Sequence, residues 1–216
     1  MKHPYKAVLF DFDGTIMNTN DIIIQSWQHT FRAAEGAERP LEDITHSFGE
    51  PLSLTMAKMF PDRDTEEMVN TYRDYQRKVY TESIQMFPGI AELITELKAR
   101  GYLMGIVTSR LWESTTQGLY KFDIAHLFDA VVSAEDTTVH KPNPEPCLIC
   151  LDKLGLAPHE AIFVGDSKFD VLCARNAGVK SVLVGWSICV TGEQKDGIYR
   201  PDYCIEKPEE LLEILA

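Results

Sequence analysis

Two carboxylates one residue apart, Asp11 and Asp13, close a run of four apolar residues, Ala7-Val8-Leu9-Phe10, and are followed by Gly14 and Thr15. A short apolar run bounded by a turn residue predicts a strand buried on both faces. Burying a lone carboxylate is costly, so the two acids must emerge where the strand ends, at the edge where open α/β sheets bind ligands. Carboxylates this close repel each other, and a hard divalent cation held by oxygens relieves the repulsion. An EF-hand loop would carry a third oxygen ligand at its fifth position and Gly at its sixth, whereas here Gly is fourth. Taken alone, the stretch could also be an acidic surface turn.

Three further polar clusters follow apolar runs or sit in loops. Thr108-Ser109 comes after Leu103 to Val107. Its hydroxyls could bond phosphate oxygens, helped by backbone N–H groups at the next helix N-terminus, or could cap that helix. Lys141 stands in His140-Lys141-Pro142-Asn143-Pro144-Glu145-Pro146, where three prolines stiffen the loop. A cation fixed beside Asp11 would neutralise that carboxylate and bound phosphoryl oxygens, although a lone Lys is more often a solvated surface charge. Gly165-Asp166-Ser167-Lys168-Phe169-Asp170 follows Ala161 to Val164. Asp166 and Asp170, one helical turn apart, could converge on one cation, or Asp166 could be an N-cap.

The elements that must position these residues alternate. From Phe87 onward the pattern predicts helices over Ile90–Arg100, Glu113–Tyr120, Asn143–Leu154, Phe169–Ala177 and Pro208–Leu215. Between them it predicts strands at Leu103–Val107, Ala130–Ser133, Ala161–Val164, Ser181–Val184 and Tyr203–Ile205. Such alternation means βαβ units and a parallel sheet. The segment from Met17 to Gln85 shows no strand signal. It predicts helices at Ile22–Ala34 and Thr65–Glu82, with Leu41–Phe60 broken at Gly49 and Pro51, and Asn18-Thr19-Asn20-Asp21 offers several N-caps. The fold expected is α/β: a Rossmann-like parallel-sheet core over residues 1–16 and 86–216, with an all-helical cap over 17–85 inserted after the first strand.

The 216 residues are 44% hydrophobic and 25% charged, an ordinary globular composition. No run approaches a membrane span, so no membrane partner is expected. The net charge of −12 argues against a nucleic-acid partner, since a phosphate backbone requires a basic face. Met1-Lys2-His3-Pro4-Tyr5-Lys6 leads straight into the first strand, leaving no room for a signal peptide, so a cytoplasmic location is expected. Cys147 and Cys150 form a C-x-x-C, but without a second pair at zinc spacing they are read as buried apolar thiols.

Asp-x-Asp-Gly-Thr, the Thr108-Ser109 pair, Lys141 and the Asp166/Asp170 pair together match the four signatures of the haloacid dehalogenase superfamily of phosphohydrolases, and the chain resembles that superfamily over nearly its full length. The resemblance implies that Asp11 is the nucleophile forming an aspartyl-phosphate. It implies that Asp13 is the general acid and then the general base, and that Thr108, the Ser109 amide and Lys141 hold the phosphoryl oxygens. It further implies Mg²⁺ held by Asp11, the Asp13 backbone carbonyl and Asp166, with Asp170 supporting, and a helical cap closing over a small phosphorylated substrate. True haloacid dehalogenases lack the second Asp, so Asp13 favours phosphoryl transfer. The sugar phosphomutases of this cap type carry a cap His and a cap Arg, where Ile23 and Leu52 align here; this favours hydrolysis. Asn18 to Ile23, His29-Thr30, Phe48 to Leu52, Lys141 to Pro146 and Gly185-Trp186 resemble the pyrophosphatase branch. Inorganic pyrophosphate is therefore the expected substrate, and phosphoglycolate or another small phosphomonoester the alternative. Pyrophosphate would need a cation facing it from the cap, for which Lys58, Arg73 and Arg77 are candidates. A signalling receiver would be about half this length without the inserted helices, and a silent phosphometabolite binder would usually have lost Asp11 or Asp13. A monomer or a homodimer suits this reading.

Overall fold

The computed structural model describes residues 5–188 and 197–216. The N-terminal run Met1 to Pro4, expected to lead into the first strand, lies outside them. Six parallel strands form one sheet in the order β5-β4-β1-β6-β7-β8. They are β1 (Ala7–Phe10), β4 (Leu103–Val107), β5 (Ala130–Val132), β6 (Ala161–Gly165), β7 (Lys180–Val184) and β8 (Tyr203–Ile205). β1 is central, in register with β4 on one side (Phe10 opposite Ile106) and β6 on the other (Phe10 opposite Val164). The chain steps outward through β4 and β5, then returns to the far side of β1 for β6, β7 and β8. This reversal opens a crevice at the carboxyl ends of the strands, and Asp11, Thr108 and Asp166 all stand at those ends.

Both faces of the sheet are buried, which is why β1 is apolar without alternation. Val8 and Phe10 point to one side, onto Leu93, Ile94 and Leu97 of α5 (Ile90–Ala99) and Leu211 and Leu215 at the C-terminus. Ala7 and Leu9 point to the other. There they meet Cys147, Cys150 and Leu151 of α7 (Glu145–Leu154) and Cys173 and Ala174 of α8 (Lys168–Ala177). Cys147 and Cys150 are thus core residues, and burial pushes the Cys150 thiol up to about 12.

Between β1 and the rest of the sheet come α1 (Asn20–Glu35), α2 (Leu41–Thr45), α3 (Leu52–Met59) and α4 (Thr65–Ser83). They enclose an apolar cluster of their own, with Trp27, Phe31, Ile44, Met56, Phe60, Met68 and Tyr72. Trp27 stacks on Phe31 at 5.7 Å between ring centroids, and Arg39 lies over Phe31 at 4.6 Å. The break at Gly49 and Pro51 falls where the sequence places it, between α2 and α3.

The expectation of no strand between Met17 and Gln85 is corrected. β2 (Met17–Asn18) and β3 (Gln85–Met86) pair antiparallel at the two ends of the helical segment, Met17 opposite Met86 and Asn18 opposite Gln85. Two-residue strands are too short to show a period of two, and their partners are distant in sequence. The last predicted helix also starts later, its first turn being a tighter 3₁₀ turn at Pro208–Glu210 before α9 (Leu211–Ile214). No helix among the described residues is long and apolar enough to cross a membrane.

Gly105 of β4 shows how closely α7 packs on the sheet. A Cβ there would overlap the Cys150 sulfur and a Leu9 methyl, both fully buried. Gly105→Ala is expected to lower stability by about 1–3 kcal/mol through overpacking, read as a lower denaturant midpoint with an unchanged slope.

Candidate active site

Asp11 leaves the C-terminal end of β1 with its N–H on the Val164 carbonyl at 2.8 Å. The residue is only 5% exposed. Lys141, on the loop before α7, reaches the same point from the other side. Its ammonium donates to Asp11 Oδ1 at 2.8 Å, to Asp170 Oδ1 at 2.6 Å and to the Val107 carbonyl at 3.5 Å. Three donors meet three acceptors, which satisfies the buried ammonium. Burial opposes its charge, but Asp11 and Asp170 outweigh that and hold its proton well above the ordinary lysine range.

Asp170 is in the first turn of α8. Its second oxygen accepts from Ser167 N–H at 3.0 Å and Ser167 Oγ at 2.6 Å, forming a capping box. Ser167, not Asp166, therefore caps α8. Asp166 is left to face the cavity, with Oδ2 accepting from Ser187 Oγ at 2.6 Å. Gly14, at φ +75°, lies so close that a Cβ there would overlap the Asp166 carboxylate.

Asp11, Asp166 and Asp170 each offer a carboxylate oxygen, and these lie within 4.8 Å of one another. Three buried carboxylates around one ammonium leave excess negative charge. Burial pushes the Asp11 carboxyl well above its usual range; Lys141 pulls it back, and Asp170 and Asp166 push it further up. An all-oxygen, buried and electron-rich donor set fits a hard divalent cation such as Mg²⁺. Both Asp170 oxygens are already engaged by protein donors, so its place is behind the ligands.

Thr108 ends β4, its N–H on the Val132 carbonyl at 3.0 Å and its Oγ1 accepting from Arg110 N–H at 3.1 Å. It does not cap α6 (Trp112–Lys121), which begins after Leu111. Ser109 Oγ is buried with no hydrogen-bond partner among the described residues. Such an orphan calls for a ligand or water.

Asp13 stands apart from the acidic group. Its carboxylate accepts from Arg110 Nε at 3.0 and 2.9 Å, from Arg110 Nη2 at 2.8 Å and from Thr19 Oγ1 at 2.7 Å. Thr19 occupies the N-cap position of α1 without a side-chain capping bond, because its hydroxyl is given to Asp13. Arg110 is a residue of this site that sequence reasoning missed. It is 8% exposed, lies 4.8 Å over the Tyr80 ring of α4, and reaches Gln76 Oε1 at 3.5 Å. Burial works against its charge, but Asp13 raises its pKa well beyond the ordinary arginine range.

These groups line one cavity of about 150 Å³ between the sheet edge and the inserted helices. Asp11, Asp13, Thr108, Ser109, Arg110, Lys141 and Asp166 come from the core side. The helical side adds Ile23, Trp27, Phe48, Leu52, Arg73 and Gln76, among others. Ile23 and Leu52, aligned above with a phosphomutase His and Arg, thus face the cavity as apolar residues. Of the three candidate cap cations, Lys58 pairs with Glu50 and Arg77 with Asp74 at 2.8 Å, while Arg73 lines the cavity.

The model of the haloacid dehalogenase-like hydrolase family matches residues 8–184, from β1 to the end of β7. The chain belongs to this family. It is a haloacid dehalogenase-like phosphatase, similar over nearly its whole length to proteins named pyrophosphatase PpaX. One from Bacillus velezensis is 38% identical, covering 96% of this chain and 95% of that protein. One from Halalkalibacterium halodurans is 36% identical, covering 97% and 96%. Among solved structures, a haloacid dehalogenase-like family hydrolase from Streptococcus pneumoniae superposes with a TM-score of 0.86 at 30% identity, covering 99% of both chains. A candidate phosphoglycolate phosphatase from Lactobacillus plantarum superposes at 0.87 with 26% identity, covering 97% of this chain and 99% of that one.

Removing Lys141 would leave Asp11 and Asp170 buried without their cation. Lys141→Met is expected to cost about 3–5 kcal/mol of stability, measured by urea unfolding, and to abolish phosphatase activity. Because the lysine pKa is raised in the fold, its contribution is complete below the unfolded value of about 10.4 and is lost only as pH rises through the higher folded value. The lysine's own titration thus adds no slope near neutrality, but the deficit of the variant should grow as pH rises, because the buried Asp11 carboxyl, already pushed up by burial, must then ionise without its cation.

Proposed function

We propose that this phosphatase is a Mg²⁺-dependent pyrophosphatase working through an aspartyl-phosphate on Asp11. The observation that carries the reading is the convergence of Asp11, Lys141, Thr108 and the unpartnered Ser109 hydroxyl on the floor of one small cavity. A cavity near 150 Å³ suits a ligand of about benzene size, which pyrophosphate and small phosphomonoesters match. The full-length likeness to proteins named pyrophosphatase supports pyrophosphate. The superposition on a candidate phosphoglycolate phosphatase supports phosphoglycolate as the second reading.

In the first half-reaction an Asp11 carboxylate oxygen attacks phosphorus, the bridging P–O bond breaks, and the departing phosphate takes a proton from Asp13. In the second, water attacks the phosphorus of the aspartyl-phosphate, Asp13 takes its proton, and the P–O bond to Asp11 breaks to release phosphate. Lys141, Thr108 and Ser109 hold the phosphoryl oxygens in line. Mg²⁺ would be held by Asp11, Asp166 and the Asp13 backbone carbonyl, with Asp170 supporting, and supplies charge neutralisation at the phosphoryl group. The inserted helices form a cap whose closure excludes water.

The test is phosphate release with Mg²⁺, pyrophosphate and phosphoglycolate run side by side, with pyrophosphate expected to be preferred. Asp11→Asn is expected to abolish turnover with the melting temperature retained; activity in that variant would remove Asp11 from the nucleophile role. Mg²⁺ at a hundred times its dissociation constant should stabilise the protein by about 2.7 kcal/mol. That gain should vanish in Asp166→Asn, and a gain retained in full would take the metal away from Asp166.

A further inference from the structure

The cations around the cavity are nearly all committed. Lys141 is bound between Asp11 and Asp170, and Arg110 is bound to Asp13. On the helical side, Arg32 pairs with Glu38, Arg39 with Glu35, Lys58 with Glu50 and Arg77 with Asp74, and Arg63 donates to the Ala34 carbonyl at 2.7 Å. Arg73 differs. Among the described residues it forms no hydrogen bond and no ion pair, and it is the only cap cation lining the cavity. It is half-buried on α4, one turn from Gln76, at the seam where the cavity meets a second small groove lined by Leu111 and Ser114. A guanidinium with five donors, partly desolvated and unpaired, is a standing site for an oxyanion.

The floor of the cavity already provides for one phosphoryl group. A pyrophosphate bound there must direct its second phosphate toward the roof, where the other lining residues are apolar, neutral, or acidic like Glu50. We propose that Arg73 is the specificity-determining residue for the leaving group. Its guanidinium receives the second anionic group of the substrate, forked onto two oxygens, so the enzyme favours phosphoryl compounds whose departing part already carries an anionic group in the bound substrate. This rests on the reading that Asp11 attacks a phosphoryl group on the cavity floor. The competing role is a tie between cap and core through Glu135, the core carboxylate whose field reaches Arg73.

The experiment compares wild type, Arg73→Gln, Arg73→Lys and Glu135→Gln, taking kcat and KM with Mg²⁺ for pyrophosphate, phosphoglycolate and p-nitrophenyl phosphate. The last has no second anionic group. Losing one charge-assisted pair should raise KM for pyrophosphate and phosphoglycolate roughly ten- to a hundredfold in Arg73→Gln. The p-nitrophenyl phosphate constants should stay within about twofold, a loss confined to KM reporting uniform binding. Arg73→Lys should recover part of the loss, and Glu135→Gln should resemble wild type. Equal losses on all three substrates, no loss on any, or the same pattern in Glu135→Gln would each overturn the proposal. A selective loss on phosphoglycolate in an enzyme that ignores pyrophosphate would uphold Arg73 and reject the pyrophosphatase reading. A wild-type preference for p-nitrophenyl phosphate over both anionic substrates would reject Arg73 and leave the phosphatase intact.

Discussion

A single buried ammonium holds this site together. Lys141 sits between Asp11 and Asp170 at 2.8 and 2.6 Å, all three almost wholly out of water. A buried carboxylate left without its cation costs about 3–5 kcal/mol. Asp11 can therefore stand at the centre of the sheet only because β5 and the proline-rich loop after it return a lysine to that point. The capping box of α8 completes the arrangement, since Ser167 fixes the oxygen of Asp170 that Lys141 does not use. With Asp166 added, negative charge still exceeds positive. That excess fits the divalent cation proposed for the site.

The rest of the molecule divides its labour around that point. The sheet and its two flanking layers hold Asp11, Thr108 and Asp166 just beyond the ends of short, buried strands, where a shift of position would disturb close packing. The inserted helices have a separate apolar cluster around Trp27, Phe31 and Tyr72. Residues of the cavity roof can accordingly vary without touching the support of Asp11. Arg110 bridges the two parts, holding Asp13 with its Nε and Nη2 while its plane lies against Tyr80 of α4.

Much of this was legible in the sequence because it violates local expectation. Acidic residues at the end of an apolar run, and a lysine among prolines, have no local reason to be there, so their partners had to be distant. The strand and helix order followed from alternation, and Gly49-Glu50-Pro51 marked the break between α2 and α3. Arg110 was not legible. An arginine after Thr-Ser reads as a solvated charge, and what buries it is Asp13 and the Tyr80 ring, both remote in sequence. Thr19 reads as an ordinary helix cap, and only the folded chain shows its hydroxyl turned to Asp13. The signal that could have found both is the need of Asp13 for donors, since a second carboxylate beside Asp11 requires its own counter-charge.

The two short strands β2 and β3 carry the chain into the inserted helices and back, hydrogen-bonded side by side as Met17 with Met86 and Asn18 with Gln85. Two separate tethers would let the helical part tumble and slide. Two fused ones make a strip that bends easily across its plane and resists twisting within it. Under the closure proposed above, a swing of the helices would turn chiefly about this strip, which lies within a few residues of Asp13 and Thr19. With that closure, most of the orientational freedom that docking removes would be absent beforehand, and the entropic cost of each closure would be correspondingly small.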